Sequence, residues 1–177
     1  RIILNDVYVP DENNDTLLYS ETILAKVSAL KIKKRRIYIS EILLEKPQIS
    51  ILSDSTGRYN FEYILEKFES DTTTEKTSEE SFDVFCESLF IDRASLKMQN
   101  NPFSKTPGSF NSNDLLVDGF TLRINDFQMH ENNIELALQT LSFKEKSGIS
   151  LENFSGFIRL TDTLYQVNNM FVKTENS

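Results

Sequence analysis

Apolar and polar residues alternate with a period of two over most of this chain, the pattern of strands that bury one face. The clearest instance is Ile49 and Ile51 alternating with Gln48 and Ser50. A turn follows at Asp54-Ser55-Thr56-Gly57, where Gly57 takes a positive φ without steric cost and Asp54 can bond nearby amides. The period then changes. Asn60 reads as an N-cap, and Phe61, Ile64, Leu65 and Phe68 fall at i, i+3, i+4 and i+7, which predicts one short amphipathic helix at about 60–68.

Elsewhere the pattern predicts strands. Residues 1–9 form one, with Ile3, Val7 and Val9 on one side and Ile2, Leu4 and Tyr8 on the other. In the run 21–32, Ile23, Ala25, Val27 and Ala29 share a face, with helix as the alternative that the Ala, Leu, Lys and Glu content allows. Ile37 and Ile39 alternate, then the parity slips to Ile42 and Leu44, which predicts a bulge or two consecutive strand segments. Pro47 suits the start of the following strand. Residues 69–81 hold no apolar side chain and read as a linker between a first β module with helix (1–68) and a second β-meander module (82–177). In the second module 82–98 is a long strand or hairpin and 100–113 a Pro- and Asn-rich loop. Extended segments follow at 115–129, 134–143, 149–160 and 164–173.

Composition narrows the class. With 177 residues, 39% apolar and 26% charged, the chain is globular in character, and thirteen Phe with six Tyr favour strands. A net charge of −8 disfavours nucleic acid as a partner and any general attraction to anionic surfaces. The basic run Lys31, Lys33, Lys34, Arg35 and Arg36 reads as a solvated turn, with contact to a phosphate or lipid headgroup as the functional alternative. A single cysteine excludes an internal disulfide, and no apolar run reaches the roughly 18 residues of a spanning helix. The chain opens directly on the strand-like Ile2-Ile3-Leu4, as an excised segment of a longer protein does.

The residue types that carry chemistry are sparse. His130 lies in a turn with no nucleophile placed beside it by motif, and Cys86 sits in a strand with nothing adjacent to activate it. Asp11, Asn13 and Asp15 copy the first three ligand positions of a calcium loop, but Thr16 and Thr22 stand where glycine and glutamate are needed. Five glycines scattered singly make no phosphate loop, and the carboxylates form no paired motif. The reading is therefore non-enzymatic, with no catalytic residue, metal or cofactor.

Two stretches carry more information. Residues 7–20, VYVPDENNDTLLYS, followed by alternating strands and by 54–68, DSTGRYNFEYILEKF, resemble the amino-terminal part of the TamB-like translocation and assembly modules of Bacteroidetes, within the wider AsmA-like group. Residues 141–154, LSFKEKSGISLENF, and 171–177, FVKTENS, look like the recurring strand pairs of that group. The resemblance implies an elongated or curved, mostly antiparallel β-groove in a periplasmic protein, anchored in the inner membrane through an upstream helix. It implies a role in outer-membrane biogenesis, by lipid transfer or by protein translocation and assembly. The partners implied are phospholipid or another apolar cargo, an outer-membrane assembly partner and neighbouring repeats of the same parent chain.

The residue pattern makes a groove reasonable in its own right. Eight or nine strands each present an apolar face, whereas the helix offers four apolar side chains to cover them. At roughly 25 cal/mol per Å² of apolar surface, such a sheet must fold on itself, bind something apolar or stack on further repeats. Ile37, Ile39, Ile49, Ile51, Phe120, Leu122, Ile124, Ile134, Leu136 and Leu138 are the candidates for a lipid-facing surface. The rival reading is a structural or adhesion module whose faces seal each other and whose edges or loops bind protein or glycan.

Overall fold

The structure is a computed structural model and describes residues 1–64, 82–100, 110–131 and 133–175. The chain is a mostly-β protein built on a single mixed sheet. Its strands are β1 (Ile2–Pro10), β2 (Thr16–Lys31), β3 (Arg36–Glu45), β4 (Gln48–Leu52), β5 (Asp83–Gln99), β6 (Asp114–His130), β7 (Asn133–Glu145), β8 (Ser150–Leu160) and β9 (Tyr165–Thr174). They lie in the order β1-β2-β3-β5-β6-β7-β8-β9, and β4 pairs with both β2 and β5. Among the described residues the ladder does not close: β1 and β9 form the two edges.

The β2–β3 turn is one 3₁₀ turn, Ile32–Lys34, closed by Arg35 in the left-handed region at φ 47°. β3 and β4 occupy one position between β2 and β5, broken at Lys46-Pro47. Pro47 has no N–H to give to a ladder, so the break falls there. It is bridged by Lys46 N–H donating to the Asp92 carbonyl at 2.8 Å and by Ser95 N–H donating to the Pro47 carbonyl at 2.8 Å. β3 and β4 run parallel to β5, and the other pairs are antiparallel. Both halves of the sequence thus contribute to one sheet. The linker predicted at 69–81 and most of the loop predicted at 100–113 lie outside the described residues.

After β4, Asp54 organises the predicted turn: its Oδ1 accepts from Thr56 N–H at 2.7 Å, the Thr56 hydroxyl at 2.6 Å and Arg58 N–H at 3.1 Å. Residues 62–64 are helical, and Leu65 and Phe68 of the predicted stripe lie outside the described residues. Asn60 does not cap that turn. Its amide is drawn back to the sheet, donating to the Ser50 carbonyl at 3.0 Å and accepting from Leu52 N–H at 3.0 Å, so it pins the turn to β4. The carboxylate of Glu62 instead reaches back to Tyr59 N–H at 2.9 Å, one half of a capping box.

Candidate functional site

Partners across a sheet share a face, so the register identifies which side chains stand together. One row runs through eight strands as Leu4, Ile23, Leu44, Ile91, Leu122, Leu141, Phe154 and Val172. A second runs Ile2, Ala25, Ile42, Leu89, Ile124, Leu138 and Gly156. A third, near one end of the strands, runs Leu30, Ile37, Val84, Met129, Ile134, Leu160 and Tyr165. Period-two alternation along β6 (Leu122, Ile124) and along β7 (Ile134, Leu136, Leu138) puts all three rows on the same face.

All ten predicted candidates stand there. Ile37 and Ile134 belong to the third row, Ile39 follows Ile37 by two, and Leu136 pairs with Ile158 between the second and third rows. Phe120 faces Ala94, and Ile49 and Ile51 lie against Leu96 and Met98 toward the other end of the strands. They are not one contiguous cluster, since the β3–β4 group and the β6–β7 group are separated by β5. Leu89, Ile91, Leu96 and Met98 on β5 fill the interval and were absent from the candidate set.

The reason β5 and much of the face escape a fixed-parity reading is that its long strands are bulged. Five tetrapeptides share one form: Leu4-Asn5-Asp6-Val7, Ile91-Asp92-Arg93-Ala94, Val117-Asp118-Gly119-Phe120, Ile124-Asn125-Asp126-Phe127 and Val167-Asn168-Asn169-Met170. The third residue of each has φ between 51° and 63°, the left-handed conformation that inserts an extra residue into a strand. Each bulge lengthens the apolar spacing from two to three and returns the next apolar side chain to the same face. This corrects the reading of β1: Leu4 and Val7 share a face because Asp6 lies between them, and Ile3 is on the other. It also corrects β2, where the shift around Val27 turns Ala29 to the opposite face beside Tyr38 and leaves Leu30 on the apolar one. The slip noticed in β3 is a bulge at Ser40, skipped between Ile39 and Glu41 in the pairing with β2.

The opposite face carries ion pairs among apolar side chains such as Ile3 and Leu24. Lys26 pairs with Glu41, Glu135 with Arg159 at 2.7 Å and Glu152 with Lys173 at 2.5 Å. Of its aromatics, Tyr38 stacks on Phe85 with centroids 4.9 Å apart and Phe90 lies under the Arg123 guanidinium at 4.4 Å, while Tyr8, Phe157 and Phe171 are exposed.

The apolar face is not sealed. Among the described residues only Leu17, Leu24, Pro47, Cys86, Ala94, Val117 and Leu138 are buried apolar side chains, and Leu24 belongs to the opposite face. Nine of the ten candidates are half-buried and Leu138 is buried. Exposure rises at the edges, to 50% for Leu4 on β1 and 63% for Met170 on β9. A cavity of about 200 Å³ touches Ile49, Leu96 and Val117, smaller than the 300–1,000 Å³ typical of small-molecule sites. The chemistry available is therefore that of an extended apolar surface.

The polar residues singled out in the sequence have local partners. Oδ1 of Asp11 accepts from the amides of Asn13 at 2.8 Å and Asp15 at 2.9 Å, which closes the loop that copies a calcium site. Among the described residues no three His, Cys, Asp or Glu side chains converge as a metal site would require. His130 pairs with Asp83, which also accepts from Arg36 at 3.2 Å; the Asp83 hydrogen bond raises the imidazole pKa, and the His130 hydrogen bond lowers that of Asp83. Cys86 is a buried side chain facing Ile39 and Phe127, and burial raises its thiol pKa. Among the described residues no helix is long and apolar enough to cross a membrane. Comparison of the chain with known protein families, with curated proteins and with solved structures finds no match.

Proposed function

We propose that this chain is a non-enzymatic, periplasmic segment of a TamB-like protein of the AsmA-like group, and that its apolar sheet face conducts phospholipid or another apolar cargo during outer-membrane biogenesis. The observation that carries this reading is the unbroken apolar row from Leu4 on β1 to Val172 on β9, on a sheet whose other face is lined by ion pairs. Eight strand positions about 4.8 Å apart, with strands of about 13 residues at about 3.3 Å each, give a face on the order of 1,500 Å². Acyl chains match such a surface because they need no hydrogen-bond partners and adapt to its relief.

The open edges fit the same reading. On β9 the apolar side chains Val167, Met170 and Val172 are 44–63% exposed, and a neighbouring repeat adding a strand there would continue both ladder and face. An outer-membrane assembly partner and an inner-membrane anchor belong to the parent protein in this proposal. The test is extraction and mass spectrometry of lipid from the purified chain, alone and joined to neighbouring repeats. Stoichiometric phospholipid or another apolar molecule is expected. Purification of both forms free of lipid, with no uptake of added fluorescent phospholipid, would overturn the proposal.

A further inference from the structure

The third apolar row ends beneath the β2–β3 turn. Leu30 and Ile37 are the row's members there, Leu30 is 56% exposed, and Ile32 at the tip of the turn is 67% exposed. Around this apolar tip stand Lys31, Lys33, Lys34, Arg35 and Arg36, in a chain whose net charge is −8. Three of the five are engaged: Lys31 lies over the Tyr38 ring at 4.7 Å, Arg36 pairs with Asp83, and Arg35 is not free. Lys33 and Lys34 are exposed and make no ion pair among the described residues. An exposed aliphatic side chain flanked by unpaired lysines is the chemistry of an anionic bilayer surface, where the apolar group enters the headgroup boundary and the cations meet phosphate.

We infer that the β2–β3 turn docks this end of the apolar face on a membrane rich in anionic phospholipid, so that a lipid's headgroup meets Lys33 and Lys34 as its acyl chains meet Leu30 and Ile37. The role of the face rests on the function proposed above; the docking does not. Glu131 and Asp162, in the β6–β7 and β8–β9 turns, repel the same surface and confine contact to the β2–β3 corner. The chain's overall negative charge makes the attraction local and orienting.

The experiment is co-sedimentation of the 177-residue chain with phosphatidylcholine vesicles, with and without a third of phosphatidylglycerol, at low and high salt. Binding is expected only to the anionic vesicles and is weakened by salt. Each basic residue near such a surface is worth about fivefold in binding, so Lys33→Gln with Lys34→Gln is expected to lose about 10- to 30-fold. Ile32→Ser is expected to weaken binding with the charge intact. All three positions are exposed in a turn, so circular dichroism should be unchanged. Equal binding by the double variant, or full competition by inorganic phosphate, would overturn the inference. So would absence of binding to anionic vesicles, even where the chain takes up fluorescent phospholipid from micelles and the conduction reading survives. Vesicle binding without uptake would support docking and count against conduction.

Discussion

Leu122→Asp separates an open apolar face from a sealed core. Leu122 lies near the middle of the longest row, between Ile91 on β5 and Leu141 on β7, and is half-buried. Fully burying a leucine contributes about 1.5–3 kcal/mol, so a half-buried one contributes about 1–1.5 kcal/mol. On an open face the new carboxylate keeps most of its water, and the total loss of stability should stay near 1–2 kcal/mol. In a sealed interior the same charge would be uncompensated and would cost about 3–5 kcal/mol or more. Lipid binding should respond the other way. An aspartate among acyl chains costs about 2.5–3.5 kcal/mol, which is about a 100-fold loss of affinity. The assays are urea denaturation and titration of the folded variant with a fluorescent phospholipid. Thr121→Asp, one residue away on the polar face beside Ser142, is the control and should change affinity less than about twofold. A loss above about 4 kcal/mol for Leu122→Asp, or unchanged lipid affinity per folded molecule, would refute the reasoning.

Three further outcomes test the structure. Arg93 holds φ 52° in an exposed bulge, and left-handed backbone costs a non-glycine residue about 1–2 kcal/mol; allowing for the greater chain entropy of glycine, Arg93→Gly should raise stability by about 0.5–1 kcal/mol in urea denaturation. A Cβ at Gly156 would sit 3.1 Å from both the Asn168 carbonyl oxygen and Val167 Cγ1, so Gly156→Val should push β9 away, cost about 1–3 kcal/mol and speed hydrogen exchange along β9 first. The His130 pKa is raised by Asp83, so the protonated imidazole's support is complete below its unfolded value near 6.5 and is lost as pH rises through the higher folded value. The Asp83 pKa is lowered, so its support is present above about 3.9 and is lost as pH falls through the lower folded value. The pair therefore acts fully between about pH 4 and 6.5, and an NMR titration should show the His130 pKa falling toward its ordinary value in Asp83→Asn.

How much of this was legible in the sequence depended on whether a strand kept its period. β7 alternates strictly from Ile134 to Leu138, and its face could be read directly. β4 did the same for Ile49 and Ile51. The long strand β5 was legible as an extended segment at 82–98, a long strand or a hairpin, but its face was not, because Cys86 to Leu89 and Ile91 to Ala94 are each spaced by three. Asn60 shows another limit. As a residue type it suits an N-cap, and only the approach of Ser50 and Leu52 across the turn makes the sheet the better partner. The β2–β3 corner was visible as a run of five basic residues, yet nothing in the sequence placed it at the end of an apolar row that is completed by β5 to β9.

The bulges bear on whether the apolar face is a specified surface or a by-product of strand-forming residues. If aliphatic side chains served only strand propensity, their spacing would ignore the local backbone, and each inserted residue would send the next apolar group to the polar face. At Asp6, Arg93, Gly119, Asp126 and Asn169 the spacing lengthens to three where the backbone turns left-handed, and apolar identity resumes on the same side. The preceding residue is Asn or Asp each time, a short polar side chain at the point where the strand bends. Bulges add twist and curvature, which keep a sheet with strands of up to 17 residues from lying flat. Compensated bulges therefore do two things together: they bend the sheet and return apolar side chains to the same face, where Ser20 and Glu145 are polar exceptions. A self-sealing sandwich would bury such a face against a second sheet. Among the described residues one open sheet carries it, with side chains buried or half-buried on the inner strands and exposed at both edges.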